Sequence, residues 1–304
     1  MSAPRAERRV VLSVDLDEWY HCRWASGAPH SRWPSADAVF REYYKSDQPG
    51  GELIAPTRRI LALFHKLDVR ATFFILGEVA EQYPDLVREI AAAGHEIGCH
   101  GFHHTDADLL GPEGFADELR RGRDALGEIT GHAPSGYRAP NLILRDWMIP
   151  ILRDHAFRFD ASVCTSRRFW KKDFGHSHHV LHPYRISRSF GEPDPEGDFA
   201  ELPLPVFPGI RLPAGTGILT RVLGRAWTTV ALRNALRTGD TQYYFHPYEI
   251  GPLPRISMTW RERLFLRRLG GWLEGAVGKI VTDLRESGAV FVTAGDQAAR
   301  ILGN

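Results

Sequence analysis

Ionisable side chains follow apolar runs in this sequence, at the points where strands of a sheet would end. Asp15 and Asp17 close the run RRVVLSVDLD, and His100 and His104 close HEIGCHGFHH. Residues two apart on a strand point to the same face, so the two aspartates face one site. Two imidazoles four residues apart and one carboxylate would hold an ion and leave a position open, as in catalytic metal sites. The spacing therefore predicts metal-assisted acid/base chemistry, in preference to a pair of loop-capping aspartates, because a partly buried charge needs a partner.

Three further candidates end later apolar runs. Arg138 lies in SGYRAP, Asp160 ends FRFD and His246 ends QYYFH. An arginine there can hold a carboxylate ionised through bidentate hydrogen bonds, although a structural salt bridge would give the same pattern. A histidine on the far side of the site can protonate a leaving amine, although a lone histidine after a strand is more often packed in the core.

Alternating strand and helix patterns position these residues. Apolar runs predict strands over 8–15, 70–76, 95–100, 135–140, 157–160, 200–206, 242–246 and 289–293. Helical spacing covers 57–67, 78–93 with a break at Pro84, 112–129, 145–155, 219–236, 260–284 with a break near 270–271, and 294–302. This alternation predicts one α/β domain over 1–304, closed or nearly closed as a parallel barrel whose strand ends share one face. Segments of about 20–55 and 165–198 interrupt it and are interpreted as loop insertions over that face.

Composition excludes several classes of protein. The chain has 304 residues, 38 basic and 37 acidic, so its net charge of +1 gives no reason to expect a nucleic-acid or anionic-membrane partner. Its 43% apolar and 25% charged residues are those of a globular protein. It has no apolar run of transmembrane length, and the apolar run after its basic start is too short for a signal peptide. Its 3 cysteines are scattered along the chain. Together these observations predict a cytoplasmic location. The oligomeric state stays open.

The motifs resemble those of polysaccharide deacetylases of the NodB-homology type, carbohydrate esterase family 4. The resemblance runs from Val10 to about Ala294, is densest from Arg70 to His104, and is greatest to the deacetylases of exopolysaccharide clusters. It implies a deformed barrel of seven or eight β/α units. VDLDEW departs from the commoner form by one residue inserted between the acids, and Gly101 stands where a serine or threonine is usual.

The resemblance also implies roles for the strand-end residues. Asp17, His100 and His104 would be the metal ligands, and Asp15 the catalytic base. Arg138 would orient the base, the backbone N–H of Tyr137 would contribute to an oxyanion hole, His246 would protonate the leaving amine, and Asp160 would tune that histidine.

The implied activity is a metal-dependent removal of the N-acetyl group from an amino sugar that is part of a glycan, lipid-linked or nucleotide-linked. Zinc suits two histidines and one aspartate best, and cobalt, nickel or iron would fit the same ligands. Two alternatives are a metal-independent cyclic amide or imide hydrolase of the same fold and a non-catalytic carbohydrate-binding relative. The histidines of 176–182 are interpreted as a solvated or substrate-covering loop, with a second metal site as the alternative.

Overall fold

The computed structural model describes residues 7–26, 31–165, 180–207 and 211–303. Within them one curled sheet forms the centre of the molecule. Its strands are β1 (Arg8–Leu16), β2 (Thr72–Ile75), β3 (Glu96–Cys99), β4 (Gly136–Tyr137), β5 (Phe159–Asp160), β6 (Tyr184–Ile186), β7 (Phe199–Glu201), β8 (Thr241–Phe245) and β9 (Ala289–Val292).

The sheet is parallel except at one edge. Its order is β6-β7-β5-β4-β3-β2-β1-β8, and only β6 runs antiparallel, to β7. β1 is the central strand, because β2 pairs with its second half, β9 with its first half and β8 with its middle. A strand surrounded in this way is apolar without alternation, which explains the continuous run Val10–Val14.

Irregular extended chain curls the two ends of the sheet towards each other at the carboxyl edge. The backbone N–H of Leu204 donates to Val163 O at 2.7 Å, and that of Ala214 donates to Pro205 O at 3.0 Å. The backbone N–H of Tyr244 then donates to Gly215 O at 3.0 Å. Prolines prevent a regular ladder there, so the predicted deformed barrel is confirmed as a curled half-barrel closed by single bridges.

Helices cover the outside of the sheet. They are α1 (Ala36–Val39), α2 (Ile54–Leu67), α3 (Gly77–Gln82), α4 (Pro84–Ala92), α5 (Ala107–Thr130), α6 (Met148–Asp154), α7 (Gly217–Leu223), α8 (Arg225–Thr238), α9 (Trp260–Phe265), α10 (Gly271–Arg285) and α11 (Ala294–Leu302). Short 3₁₀ turns span Trp19–His21, Pro140–Leu142 and Pro247–Glu249, and a π turn spans Phe40–Tyr44. None of the described helices is both long and apolar enough to cross a membrane.

Most differences from the predicted elements lie at glycines and at a short strand. Gly224 has φ +99°, a conformation that favours glycine, and it divides the helix predicted over 219–236 into α7 and α8. α5 begins five residues before the predicted start and is kinked at Gly111. β6 lies inside the segment interpreted as a loop, because three residues are too few to show a strand pattern.

The insertion after β1 forms a small core of its own. Trp19, Tyr20 and Phe40 are buried there against Tyr248 and Leu266. These rings therefore pack as local core and buttress the carboxyl edge of the sheet, which carries the candidate site.

Candidate active site

The strand-end residues meet in one buried cluster at the carboxyl edge of the sheet. Asp15 lies at the end of β1 and Asp17 just after it, while His100, Arg138 and His246 directly follow β3, β4 and β8. None of these residues is more than 8% exposed. The parallel arrangement predicts this convergence, because parallel strands end on the same side.

One part of the cluster is a set of three potential metal ligands. Asp17, His100 and His104 each offer a ligand atom, and these atoms lie within 4.8 Å of one another. His100 Nε2 lies 3.7 Å from Asp17 Oδ1, and His104 Nε2 lies 3.3 Å from Asp17 Oδ2. All three residues are buried.

The chemistry of these donors fits a divalent ion. Asp17 Oδ1 is buried and has no hydrogen-bond partner among the described residues, which is costly unless a ligand binds it. His100 Nδ1 contacts Arg138 O at 2.7 Å, so the ring carries its proton there and turns Nε2 towards Asp17. Burial lowers the pKa of His100 and favours the neutral, ligating form, although Asp15 and Asp17 oppose this shift.

The loop between the two histidines is held by a residue of α5. Glu118 Oε2 accepts the backbone N–H groups of Phe102 and His103 at 3.0 and 2.8 Å. Gly101 has φ +86° and His104 has φ +59°, so the chain turns through two left-handed residues to bring both imidazoles to Asp17. The glycine at 101 therefore follows from the backbone conformation that the site requires.

A second part of the cluster is built around Arg138, whose side chain is fully buried. Its Nη1 donates to Asp15 Oδ1 at 2.9 Å and to Ser13 Oγ at 3.0 Å. Its Nη2 donates to Gln242 Oε1 at 2.6 Å, and its Nε donates to Ala161 O at 3.1 Å. The guanidinium is thus satisfied on every nitrogen, and it fixes Asp15 in orientation.

His246 faces Asp15 from the opposite side. Its Nε2 lies 4.0 Å from Asp15 Oδ2, while its Nδ1 contacts Glu249 Oε2 at 2.9 Å. Glu249 is in turn held by Arg221, whose Nε donates to Oε1 at 2.7 Å. Burial acts to lower the pKa of His246, but the hydrogen bond and charge of Glu249 outweigh it and raise that pKa above its ordinary value.

The family model described as polysaccharide deacetylase matches residues 53–159, which contain β2, β3 and both potential histidine ligands. Over this part of the chain the sequence is similar to the polysaccharide deacetylase family.

Two characterised deacetylases are similar to part of this chain. A peptidoglycan deacetylase from Helicobacter pylori is 33% identical over 113 residues, which are 37% of this chain and 38% of the relative. A chitin deacetylase from Colletotrichum lindemuthianum is 35% identical over 91 residues, 28% of this chain and 37% of the relative. The chain therefore spans well under half the length of these two relatives.

The fold comparison covers the whole chain. The crystal structure of a Mycobacterium smegmatis protein assigned as a polysaccharide deacetylase superposes with a TM-score of 0.62 at 20% identity. The match covers 100% of this chain and 93% of that protein. It shows that the fold extends beyond the segment matched by the family model.

The structure corrects the assignment of Asp160. Its carboxylate accepts the backbone N–H of Ser162 at 2.8 Å and the Ser162 hydroxyl at 2.9 Å, and it lies beside Glu201. Glu249 occupies the Nδ1 side of His246 instead. Asp160 lies at the end of β5, which is separated from β8 in the strand order. Glu249 lies on the turn directly after β8 and therefore reaches Nδ1 of His246.

The side chain of Tyr137 packs in the core. Its ring is buried against Phe115 and Phe157, with centroids 5.7 and 6.1 Å away. Its predicted place in an oxyanion hole concerns the backbone N–H and stays a prediction.

Two further histidines, His103 and His182, have structural contacts. His103 Nδ1 contacts Glu118 Oε1 at 2.6 Å, and its side chain is 45% exposed. His182 contacts Asp240 O at 3.0 Å and Thr238 Oγ1 at 2.8 Å, while residues 176–179 lie outside the described part of the chain.

Several site residues could not be identified from the sequence. Gln242 and Glu118 are polar residues at buried positions of predicted elements, which is the one signal they give. Glu249 follows His246 by three residues, a spacing that allows contact within one turn, and Tyr248 between them stacks its ring on the imidazole at 4.9 Å. Arg221 is 28 residues from Glu249, so only the fold brings the two together.

Proposed function

We propose that this protein is a metal-dependent hydrolase that removes the N-acetyl group from an N-acetylated amino sugar. One observation carries the proposal. A buried carboxylate, Asp15, lies between a fully satisfied Arg138 and the imidazole of His246, directly beside the three potential ligands Asp17, His100 and His104. A base, an acid and a place for an electrophile are the groups that amide hydrolysis needs.

The proton transfers are assigned to the second part of the cluster. Arg138 holds Asp15 with one oxygen engaged, and Asp15 Oδ2, which faces His246, is placed to take a proton from an attacking water. His246 Nε2 faces the same space and gives a proton to the leaving amine, because Glu249 keeps Nδ1 protonated and raises the pKa of the ring. Against the effect of burial, the positive charge of Arg221, together with the hydrogen bonds from His246 and Arg221, lowers the pKa of Glu249 and keeps it ionised.

The ligand set is assigned to one divalent ion. When bound, it would polarise the acetyl carbonyl and lower the pKa of a water ligand. Asp17, His100 and His104 would hold it, with Zn²⁺ as the best match to these donors and Co²⁺, Ni²⁺ or Fe²⁺ as the other candidates.

The proposed substrate class is an acetylated sugar polymer or a smaller conjugate of the same sugar. The two relatives are named for peptidoglycan and chitin, which both contain N-acetylated sugars. The segment matched by the family model contains His100, His104 and Arg138 but not His246, so the match supports the reaction more than it supports one polymer.

The alternatives fit the site less well. A metal-independent cyclic amide hydrolase has no use for three ligand atoms within 4.8 Å and a buried carboxylate oxygen without a hydrogen-bond partner among the described residues. A non-catalytic binding protein gains nothing from an aligned base and acid, because their desolvation costs stability.

The test is acetate release from N-acetylglucosamine oligomers, peptidoglycan fragments and a nucleotide-linked N-acetylamino sugar. We expect release by the enzyme supplied with Zn²⁺, suppression by a chelator, and recovery on adding the ion back. Asp15→Asn, which keeps the shape of the side chain, should reduce the rate by about 10²–10⁴-fold. Absence of metal binding together with no Asp15-dependent release from any of these sugars would overturn the proposal.

A further inference from the structure

The segment 251–272, which follows the turn holding His246 and Glu249, is unusually apolar for a surface. Leu253 is 52% exposed, Trp260 71% and Trp272 40%. Leu264 and Phe265 are each 36% exposed, and helix α9 has no buried residue. Five large apolar side chains within about twenty positions exceed the isolated exposed residues that are normal on a protein surface.

The same segment is strongly basic. It contains five arginines, at 255, 261, 263, 267 and 268, and a single acid, Glu262. Glu262 is already engaged by Arg32 at 2.7 Å and by the amino end of α9. All five arginines are exposed, and no ion pair between them and a carboxylate is found within the described ranges. Arg268 Nη1 donates to Arg221 O at 3.2 Å, and the other four guanidinium groups are placed to meet a charged partner.

The exposed tryptophans and arginines occur as pairs. Arg261 Cζ lies 5.3 Å from the centroid of the Trp260 ring, and Arg268 Cζ lies 5.0 Å from that of Trp272. An indole with a guanidinium beside it suits the boundary between lipid tails and phosphate head groups, where tryptophan is enriched and arginine binds anionic lipid.

This basic apolar segment is firmly attached to the candidate site. The backbone N–H of Gly270 donates to Glu249 O at 2.9 Å, and Arg221 Nη1 donates to Arg267 O at 2.9 Å. Leu266, a buried residue of the segment, packs in the aromatic core with Trp19 and Tyr248. A partner bound to the segment would therefore sit close to His246.

We propose that segment 251–272 is a surface that binds peripherally to an anionic lipid bilayer. Its apolar side chains enter the head-group region, and its arginines pair with lipid phosphates. A second copy of this chain is a poor occupant, because a two-fold contact would place arginines opposite arginines. A nucleic acid would use the charges but would leave Leu253 and Leu264 exposed to water.

The inference goes beyond the proposed deacetylation and does not depend on it. The net charge of +1 gave no reason to expect an anionic membrane as partner. The proposal revises that expectation, because acids elsewhere in the chain balance the local excess of arginine in the total.

Cosedimentation with vesicles tests the proposal. The full-length protein should bind vesicles of equal parts phosphatidylcholine and phosphatidylglycerol, bind pure phosphatidylcholine vesicles much less, and be released as salt increases. Each arginine near a charged membrane contributes about fivefold to binding, so R261A/R263A should lose about 25-fold. W260S should weaken binding at every salt concentration, because its contribution is apolar.

The matched control replaces exposed apolar residues of other helices, Leu109 (54%) and Val230 (47%), by serine. L109S/V230S should bind vesicles as the wild type does, and all variants should keep the wild-type melting temperature. No binding to the anionic vesicles at low salt overturns the proposal. So does equal binding by W260S, R261A/R263A and wild type, or a W260-dependent dimer that binds no vesicles.

Discussion

Asp15 and Asp17 stand two residues apart on the same strand end, yet they belong to regions with opposite character. The region around Asp17, with His100 and His104, leaves a buried carboxylate oxygen without a hydrogen-bond partner among the described residues. The region around Asp15 is saturated, since Arg138 donates from every nitrogen and Glu249 holds His246. We call these the ligand region and the proton region.

The two regions would contribute to the reaction in different ways. An unsatisfied buried group costs stability until something binds it, so the ligand region is arranged for an ion. A satisfied buried network holds its members in one geometry before substrate arrives, which is what proton transfer over a short distance requires. Substitutions in the two regions should therefore fail in different ways.

Removal of a ligand should have the largest effect on activity. His104→Ala is expected to lose bound Zn²⁺ and to reduce acetate release by about 10⁴-fold, the upper range for one catalytic group. The melting temperature of the metal-free protein should change little, because the ligand region is not saturated. Metal content, acetate release and thermal melting are measured on the same preparations.

His103→Ala is the matched control for that change, because its imidazole lies between the two ligands in sequence but bonds to Glu118 and is half exposed. It should keep the metal and most of the activity. Equal metal content in His104→Ala and His103→Ala would show that His104 is not a metal ligand.

Removal of the central cation of the proton region should instead destabilise the fold. Arg138→Met leaves Asp15 as a buried charge without its partner, which costs about 3–5 kcal/mol in the free energy of unfolding. Denaturant unfolding measures the loss. Arg58→Met, which breaks an exposed pair with Glu89, should have little effect, and similar losses in the two variants would contradict a saturated buried network.

Glu249→Gln tests the positioning of His246 without removing the imidazole. Glu249 raises the pKa of His246, so the protonated acid persists above the ordinary pH range of histidine. Loss of that charge should lower this pKa and move the alkaline limb of the kcat profile to lower pH, with KM nearly unchanged. Rates would then fall about tenfold on the alkaline side.

Glu96→Gln is the control for the pH profile, because Glu96 is bonded to Thr72 and to the backbone of Gly295, away from His246. Its alkaline limb should coincide with that of the wild type. A Glu249→Gln profile that also coincides would show that Glu249 has no part in the proton region.

The smallest effect concerns the neighbouring carboxyl pair Asp160 and Glu201. Burial raises the pKa of both, so the folded chain holds a proton that the unfolded chain releases above its ordinary carboxyl pKa. The folded state then binds more protons than the unfolded one, and stability must fall as pH rises above that range, by about 1.4 kcal/mol per pH unit.

Glu201→Gln should flatten this slope without moving the pH profile of kcat. Unfolding at several pH values from mildly acidic to mildly alkaline measures it. An unchanged slope would mean that the pair holds no extra proton, and a shifted kcat profile would return Asp160 to the proton region.

The sequence predicted the fold and the convergence of the strand-end side chains, because both follow from local patterns. Runs of apolar residues fix the strands, and their last residues meet because parallel strands end on one side. Spacing indicated His100, His104 and one aspartate of the pair Asp15 and Asp17, and the family resemblance selected Asp17. The ligand atoms of Asp17, His100 and His104 lie within 4.8 Å of one another. The short strand β6 and the kinked start of α5 were missed, since neither shows a period long enough to detect.

The proton region was predicted only in part. His246 and Arg138 were identified, but the partner of His246 was sought at Asp160, the acid at a strand end, and the structure places Glu249 there. Residues 260–272 of the segment were predicted as part of a broken helix over 260–284, while the exposure of Trp260 and Trp272 was established only by the fold.

By itself, the sequence determined which side chains stand at the strand ends, because that depends on residue type and spacing along one strand. Only the tertiary structure decided which of these side chains have hydrogen-bond partners. Arg138 reaches Asp15, Ser13 and Gln242 across more than a hundred residues of chain, and Arg221 reaches Glu249 across 28. Such hydrogen bonds depend on the angles between packed elements, so one aspartate of β1 is held by arginine while the aspartate two residues later is left open for an ion.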